Sequence, residues 1–347
     1  MSICPHCDEW HEPEVARCPL TGGSLDDDVT EMMDRSSLDE LASLVGVMLD
    51  DKYEVLELLG HGAVGRVYRA HQPALDRHVA IKVLRQSFAD TTSVRDRFLR
   101  EARAVGCVEH PNVVQIFDAG MTDQGLPFLV MELVEGEPLS ARIEREGRLP
   151  LFEALGIASQ VLAGLEQAHL VGVIHRDVKP DNVLVTVRDE AKLVDFGVAH
   201  LENTEAQLTQ RGEVLGTPAY LSPEQAIGTR VDAKADAWAA SVLLYEAVTG
   251  RRPFEGKQFM EILTAVMASE PLPPSAHQPD LPAELDALVM GGLAKDPDQR
   301  TDVTALLARA HQLKRRLANL ELRDTRMAPR RMSSLAETLA APDEDDP

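Results

Sequence analysis

The apolar positions of this 347-residue chain change period several times, and each change marks an element. Arg66-Val67-Tyr68-Arg69-Ala70 alternates polar with β-branched or aromatic residues, the period of a strand. Val79-Ala80-Ile81-Lys82 is a second short apolar strand, closed by a single lysine. From Val94 to Val108 the period lengthens: Val94, Phe98, Ala102 and Val105 recur at helical spacing. Glu101 lies three residues after Phe98 and four before Val105, so it shares the inward face of that helix. Ala233–Val248 is apolar on nearly all sides, which predicts a buried scaffold helix around Asp236. Upstream, Leu38, Leu41, Leu44, Val45 and Met48 also recur at helical spacing. They fit either a transient helix in a solvated linker or a helix that docks on the strand-rich region after it.

Candidate chemistry sits between these elements. Gly60-His61-Gly62-Ala63-Val64-Gly65-Arg66-Val67 reads G-x-G-x-x-G-x-V. A strand comes next where a dinucleotide fold needs a helix, so the glycines belong to a hairpin whose backbone can lie close over phosphates. A carboxylate on an apolar face is costly unless paired, and Lys82 is a partner for Glu101 that itself needs an anion. A Glu101–Arg97 pair is the plainer alternative. His175-Arg176-Asp177-Val178-Lys179-Pro180-Asp181-Asn182, followed by Asp195-Phe196-Gly197, has two acids and an amide at a spacing suited to phosphoryl transfer from a magnesium nucleotide. Asp177 can orient a hydroxyl and accept its proton, while Asn182 and Asp195 offer oxygen ligands to Mg²⁺.

With these residues in hand, the chain resembles the bacterial serine/threonine kinases of the eukaryotic-like (Hanks) type, over about residues 53–312. The resemblance implies an α+β, two-lobed protein kinase fold, with a small β-rich N-lobe and a larger helical C-lobe, preceded here by a short Cys-rich module. It implies that Asp177 is the catalytic base, that Lys179 neutralises γ-phosphate charge, and that Lys82 and Glu101 form the phosphate-positioning ion pair. It implies that ATP contacts Gly60, Gly62, Gly65, Val67, Ala80, Lys82 and the gatekeeper Met131, with adenine bonded to the Glu132 carbonyl and the Val134 backbone. Asn182 and Asp195 would hold Mg²⁺, or Mn²⁺ in its place. Gly216–Glu224 looks like the segment that docks substrate peptides, in which Thr217 bonds the catalytic Asp177 and Lys179. Glu224 would pair with Arg300, and Asp236 would brace the backbone of the catalytic loop. Arg176 is the cation expected to receive a phosphothreonine from the activation loop, Thr209 first and Thr204 second. Ser222 and Ser241 depart mildly from the usual Ala and Gly.

Hydrophobic residues make up 44% and charged residues 27%, the profile of a soluble globular protein. A net charge of −22 argues against nonspecific binding to nucleic acid or anionic lipid. No apolar run is long enough for a membrane span and no secretory signal opens the chain, so a cytoplasmic protein is expected. Cys4, Cys7 and Cys18 cluster near the N-terminus. Cys4-Pro5-His6-Cys7 reads as one zinc knuckle and Cys18-Pro19-Leu20-Thr21-Gly22 as a degenerate second, with Thr21 where a fourth Cys belongs. The fourth ligand is then His11, His6 or water, with His11 preferred. The alternative is an acidic leader with three reduced thiols.

The expected organisation is therefore a zinc-ribbon-like segment over 1–23, which could meet a partner, and an acidic linker over 24–52. A kinase domain over 53–315 and a disordered, acidic-ended tail over 316–347 complete it. The function expected is an active kinase with protein substrates in bacterial signalling. A silent kinase-fold scaffold is disfavoured by the intact Lys82, Asp177, Asn182 and Asp195, and a small-molecule phosphotransferase by Gly216–Glu224.

Overall fold

The computed structural model describes residues 2–3, 10–11, 44–62, 65–84, 92–196 and 218–327. They fall into two compact units: Met1–Ala89 with Gly120–Leu133, and Asp90–Ala119 with Val134–Pro347. Among the described residues no helix is long and apolar enough to cross a membrane.

In the first unit, β1 (Ser2–Ile3) pairs antiparallel with β2 (Trp10–His11). The main sheet comprises β3 (Met48–Leu49), β4 (Tyr53–His61), β5 (Gly65–Gln72), β6 (Arg77–Leu84), β7 (Ile116–Met121) and β8 (Pro127–Glu132), in the order β3-β4-β5-β6-β8-β7. Strand alternation sends two residue sets to opposite faces. Tyr53, Val55, Tyr68, Ala70, Val79, Ile81, Val83, Phe128 and Val130 form the core on one side, with Leu44, Leu49 and Leu126. The other side is fixed by register. Val67 pairs with Lys82, Lys82 with Leu129, and Ala80 with Met131, so these five residues share one face.

The linker expectation is corrected here. Residues 44–49 form a turn and β3, not a helix, and Leu44 and Leu49 are buried in the core of the sheet. The physical reason is local. Gly46 takes a left-handed φ of 84°, and Gly46 N–H donates to the Val55 carbonyl, which turns the chain onto β4. Asp50 and Asp51, read as linker acids, are both left-handed (φ 51° and 52°) and form the β3–β4 hairpin turn, a conformation Asp tolerates. Leu38 and Leu41 lie outside the described residues.

The second unit is mostly helical. Its helices are α1 (Thr92–Gly106), α2 (Leu139–Glu146), α3 (Leu151–Leu170), α4 (Pro223–Ile227), α5 (Lys234–Thr249), α6 (Phe259–Ala268), α7 (Pro274–His277), α8 (Ala283–Gly292) and α9 (Val303–Met327). A three-stranded sheet joins them, made of β9 (Gly136–Pro138), β10 (Val183–Thr186) and β11 (Ala191–Leu193) in the order β11-β10-β9. Phe98, Ala102 and Val105 of α1 are buried, in keeping with the helical spacing. α5 is buried on almost every side from Ala235 to Thr249, as its sequence predicts. α9 continues to Met327, past the expected boundary at 315, so residues 316–327 are helical and not a disordered tail. Leu313 is buried and Leu317 packs partly against the core, which carries the helix beyond that boundary.

Candidate functional site

The most constrained backbone of the second unit lies between α3 and β10. Arg176 adopts a left-handed φ of 66°, a strained conformation for a long side chain. The carboxylate of Asp236, buried on α5, holds it in place. Asp236 accepts from His175 N–H at 2.9 Å, from Arg176 N–H at 2.8 Å and from His169 Nε2 at 2.7 Å. Three donors compensate a buried charge that would otherwise be costly. The Arg176 carbonyl in turn accepts from Gln225 Nε2 at 2.9 Å.

This backbone presents Asp177. Its carboxylate Oδ2 accepts from Lys179 Nζ at 2.8 Å and from Asn182 Nδ2 at 2.8 Å, and Asn182 Nδ2 also donates to the Asp177 carbonyl at 2.7 Å. A 3₁₀ turn over Pro180–Asn182, with Asn182 N–H on the Lys179 carbonyl, folds the amide back onto Asp177. With its amide nitrogen committed to Asp177, Asn182 keeps its amide oxygen for a cation. The Asp195 carboxylate belongs to the same unit, on a left-handed residue (φ 58°). An amide oxygen and a carboxylate are hard donors that fit Mg²⁺ or Mn²⁺.

His175 ties the two segments together. Its Nδ1 accepts from Asp177 N–H at 3.3 Å and its Nε2–H donates to the Val194 carbonyl at 3.1 Å, which fixes the neutral Nε2–H tautomer. Its ring packs on Phe196 with centroids 4.4 Å apart. Burial pushes His175 below its ordinary value, against the pull of the Asp236 and Asp177 carboxylates.

Further along the chain, Glu224 and Arg300 form a buried bidentate ion pair, at 2.6 and 2.9 Å. Burial is the largest single influence and raises the Glu224 carboxyl, but the Arg300 hydrogen bonds and charge, with hydrogen bonds from the Glu224 backbone and Ser222, together outweigh it and hold Glu224 below the usual carboxylate range. Arg300 also donates to the Ala294, Lys234 and Lys295 carbonyls, and its guanidinium lies 5.1 Å from the Trp238 ring. Lys295 sits over the rings of Trp238 and Phe254, and burial pushes its ammonium down to about 8.

Of the nucleotide-binding candidates, Val67, Ala80, Lys82 and Met131 share one face of the main sheet, and Gly60, Gly62 and Gly65 lie at the β4–β5 turn. A Cβ on Gly65 would sit 2.3 Å from the Val83 carbonyl oxygen, so only glycine fits there. Glu132 ends β8, Val134 begins the second of the two stretches that make up the second unit, and Glu101 is half-buried in α1 of that unit. Cys4, His6, Cys7, Cys18, Thr204, Thr209 and Thr217 lie outside the described residues, and His11 is described only as part of β2. Among the described residues no group of three or more His, Cys, Asp or Glu is arranged to hold a metal. Sequence reasoning passed over His169 and Gln225. For Gln225 a signal existed, since Ser222-Pro223-Glu224-Gln225 is an S-x-x-Q capping box.

The family description "Protein kinase domain" matches residues 53–312. The chain is 38% identical over 307 residues to serine/threonine-protein kinase pkn3 of Myxococcus xanthus, covering 85% of this chain and 55% of that protein. It is 42% identical over 257 residues to serine/threonine-protein kinase PksC of Streptomyces coelicolor, covering 72% and 46%. It is 38% identical over 271 residues to serine/threonine-protein kinase PknB of Mycobacterium tuberculosis, covering 76% and 43%. The chain thus spans about half the length of these relatives. Among solved structures it is similar to the Mycobacterium tuberculosis PknI kinase domain, at 28% identity and a TM-score of 0.63, over 77% of this chain and 98% of that one.

Proposed function

The chain belongs to the protein kinase domain family, and on that premise we propose that it is a serine/threonine kinase. Its reaction is transfer of the ATP γ-phosphoryl group to Ser and Thr hydroxyls of proteins, its own included, in bacterial signalling. One observation carries this reading: the Asp177 carboxylate is held by both Lys179 and Asn182 on a backbone gripped by Asp236.

The roles are those of the scheme general to the family. Asp177 orients the substrate hydroxyl and accepts its proton, and Lys179 neutralises charge on the γ-phosphate. Lys82, paired with Glu101, holds the α- and β-phosphates under the Gly60–Gly65 backbone. Asn182 and Asp195 hold a divalent cation, Mg²⁺ or Mn²⁺, which when bound supplies positive charge to the phosphate oxygens. Val67, Ala80 and Met131 face the adenine, and the Glu132 carbonyl and Val134 backbone bond its edge. Lys179, two residues after Asp177, and Thr217 together favour the short reach of Ser and Thr over Tyr. Thr209, and after it Thr204, is the activation-loop phosphosite that Arg176 receives.

The segment 1–23 is a degenerate zinc ribbon that meets a partner, with Cys4, Cys7, Cys18 and His11 as ligands. The support for it is the sequence alone, two thiolates two residues apart in Cys4-Pro5-His6-Cys7 and a third at Cys18-Pro19. A cytoplasmic location completes the proposal.

The test is Asp177→Asn. Phosphorylation of a generic protein substrate falls by ~10²–10⁴, the range for a lost general base, while nucleotide titration stays near wild type. Wild-type turnover in that variant would remove Asp177 from the mechanism.

A further inference from the structure

The Gln225 side chain bridges the end of the substrate-docking segment and the backbone of the catalytic loop, with hydrogen bonds on each side. Its Oε1 accepts from Ser222 N–H at 3.0 Å and from Ser222 Oγ at 3.1 Å, closing the capping box at the N-terminus of α4. Its Nε2 donates to the Arg176 carbonyl at 2.9 Å. The two contacts agree on the amide's orientation. An N–H can only donate, so the oxygen faces Ser222, and a carbonyl can only accept, so the nitrogen faces Arg176.

We propose that Gln225 is a positioning residue for the catalytic base, clamping the Arg176–Asp177 peptide by its carbonyl while Asp236 clamps the preceding His175–Arg176 peptide by its N–H, one on each side of the left-handed Arg176. Asp177 comes directly after Arg176, so any rotation of that peptide swings the carboxylate that must meet the substrate hydroxyl. The clamp also explains why the capping position is Gln. A capping box accepts Glu equally well. A carboxylate would close the cap but has no proton for Arg176, and would set its charge against that carbonyl. Because α4 begins at the end of the docking segment, the amide passes the position of that segment to Asp177.

This role rests on the reading of Asp177 as catalytic base, and Gln225→Glu separates capping from positioning. The full chain is compared with Gln225→Glu and Gln225→Ala for melting temperature, kcat and KM for ATP. Gln225→Glu keeps the melting temperature, lowers kcat about tenfold and leaves KM for ATP unchanged, as expected for the loss of one positioning hydrogen bond. Gln225→Ala loses both melting temperature and kcat. Gln225→Glu with wild-type kcat would overturn the proposal. So would a fall in kcat matched by the same loss of melting temperature in both variants, because Gln225 would then be a cap alone. A wild-type chain without phosphotransfer would instead sink the kinase reading itself.

Discussion

Ser241 of α5 occupies the space that a side chain at Gly292 of α8 would need. A Cβ added to Gly292 would run into Ser241 Oγ and lie 2.8 Å from Ser241 Cβ. The Ser241 hydroxyl is settled on the Ala237 carbonyl at 2.8 Å. The two helices therefore meet with the small residue on α8. Gly292→Ala should destabilise the second unit by about 1–3 kcal/mol through overpacking. Adding Ser241→Gly should recover most of that loss. Denaturant unfolding of the two single variants and the double variant measures the coupling, and additive effects would refute it.

Stability should depend on pH through two groups of known sign. Burial lowers His175 from its ordinary 6.5, so the unfolded chain binds a proton before the folded one. The neutral imidazole's contribution is complete above pH 6.5 and is lost as pH falls below it toward the folded value. Glu224 is lowered from 4.5 by Arg300, so its contribution is lost in a second window, as pH falls below 4.5. Urea midpoints measured from about pH 8 down to about pH 3 should fall in those two steps. A His175→Asn chain with an unchanged slope below pH 6.5 would remove His175 as the cause.

Activation should require phosphate on the loop that precedes Pro218. In the proposed scheme Arg176 receives the phosphothreonine, which would supply it with charge-assisted hydrogen bonds. Thr209→Ala should lower the rate of the purified enzyme, and mass spectrometry of active protein should find phosphate at Thr209, or failing that at Thr204. Full activity with no loop phosphate would end this prediction.

The N-terminal segment should carry one equivalent of zinc, released when its thiols are modified. Metal analysis of protein purified without chelators is the measurement. Less than about a tenth of an equivalent would refute the ribbon.

The fold was legible where chemistry and period act locally. The alternation from Arg66 to Ala70 and the apolar run of α5 are set by near neighbours, and both elements form. Residues 44–49 misled because leucine and valine spaced by three and four also fit a turn and a strand, and only the left-handed Gly46 decides between them. The helical run of α9 past 315 was hidden by its many charged residues, while Leu313 and Leu317 pack on the core. At the site, Asp177, Asn182 and Asp195 could be read from spacing within one stretch. The His169–Asp236 and Gln225–Arg176 contacts could not be read that way, since the partners stand 67 and 49 residues apart, and only the Gln225 cap on Ser222 was local.

The burial of Leu44 and Leu49 also sets where the chain can be cut. The family match begins at Tyr53, on the far side of the hairpin turn from both leucines. Excision at that boundary would strip two residues from the sheet's interior and leave β4 as a bare outermost strand. Unpaired outer strands recruit strands from other molecules, and the charges of Asp50, Asp51 and Lys52 at the hairpin discourage that encounter. A fragment chosen by family boundary would thus be prone to self-association. One that begins a few residues before Leu44 would keep its border closed.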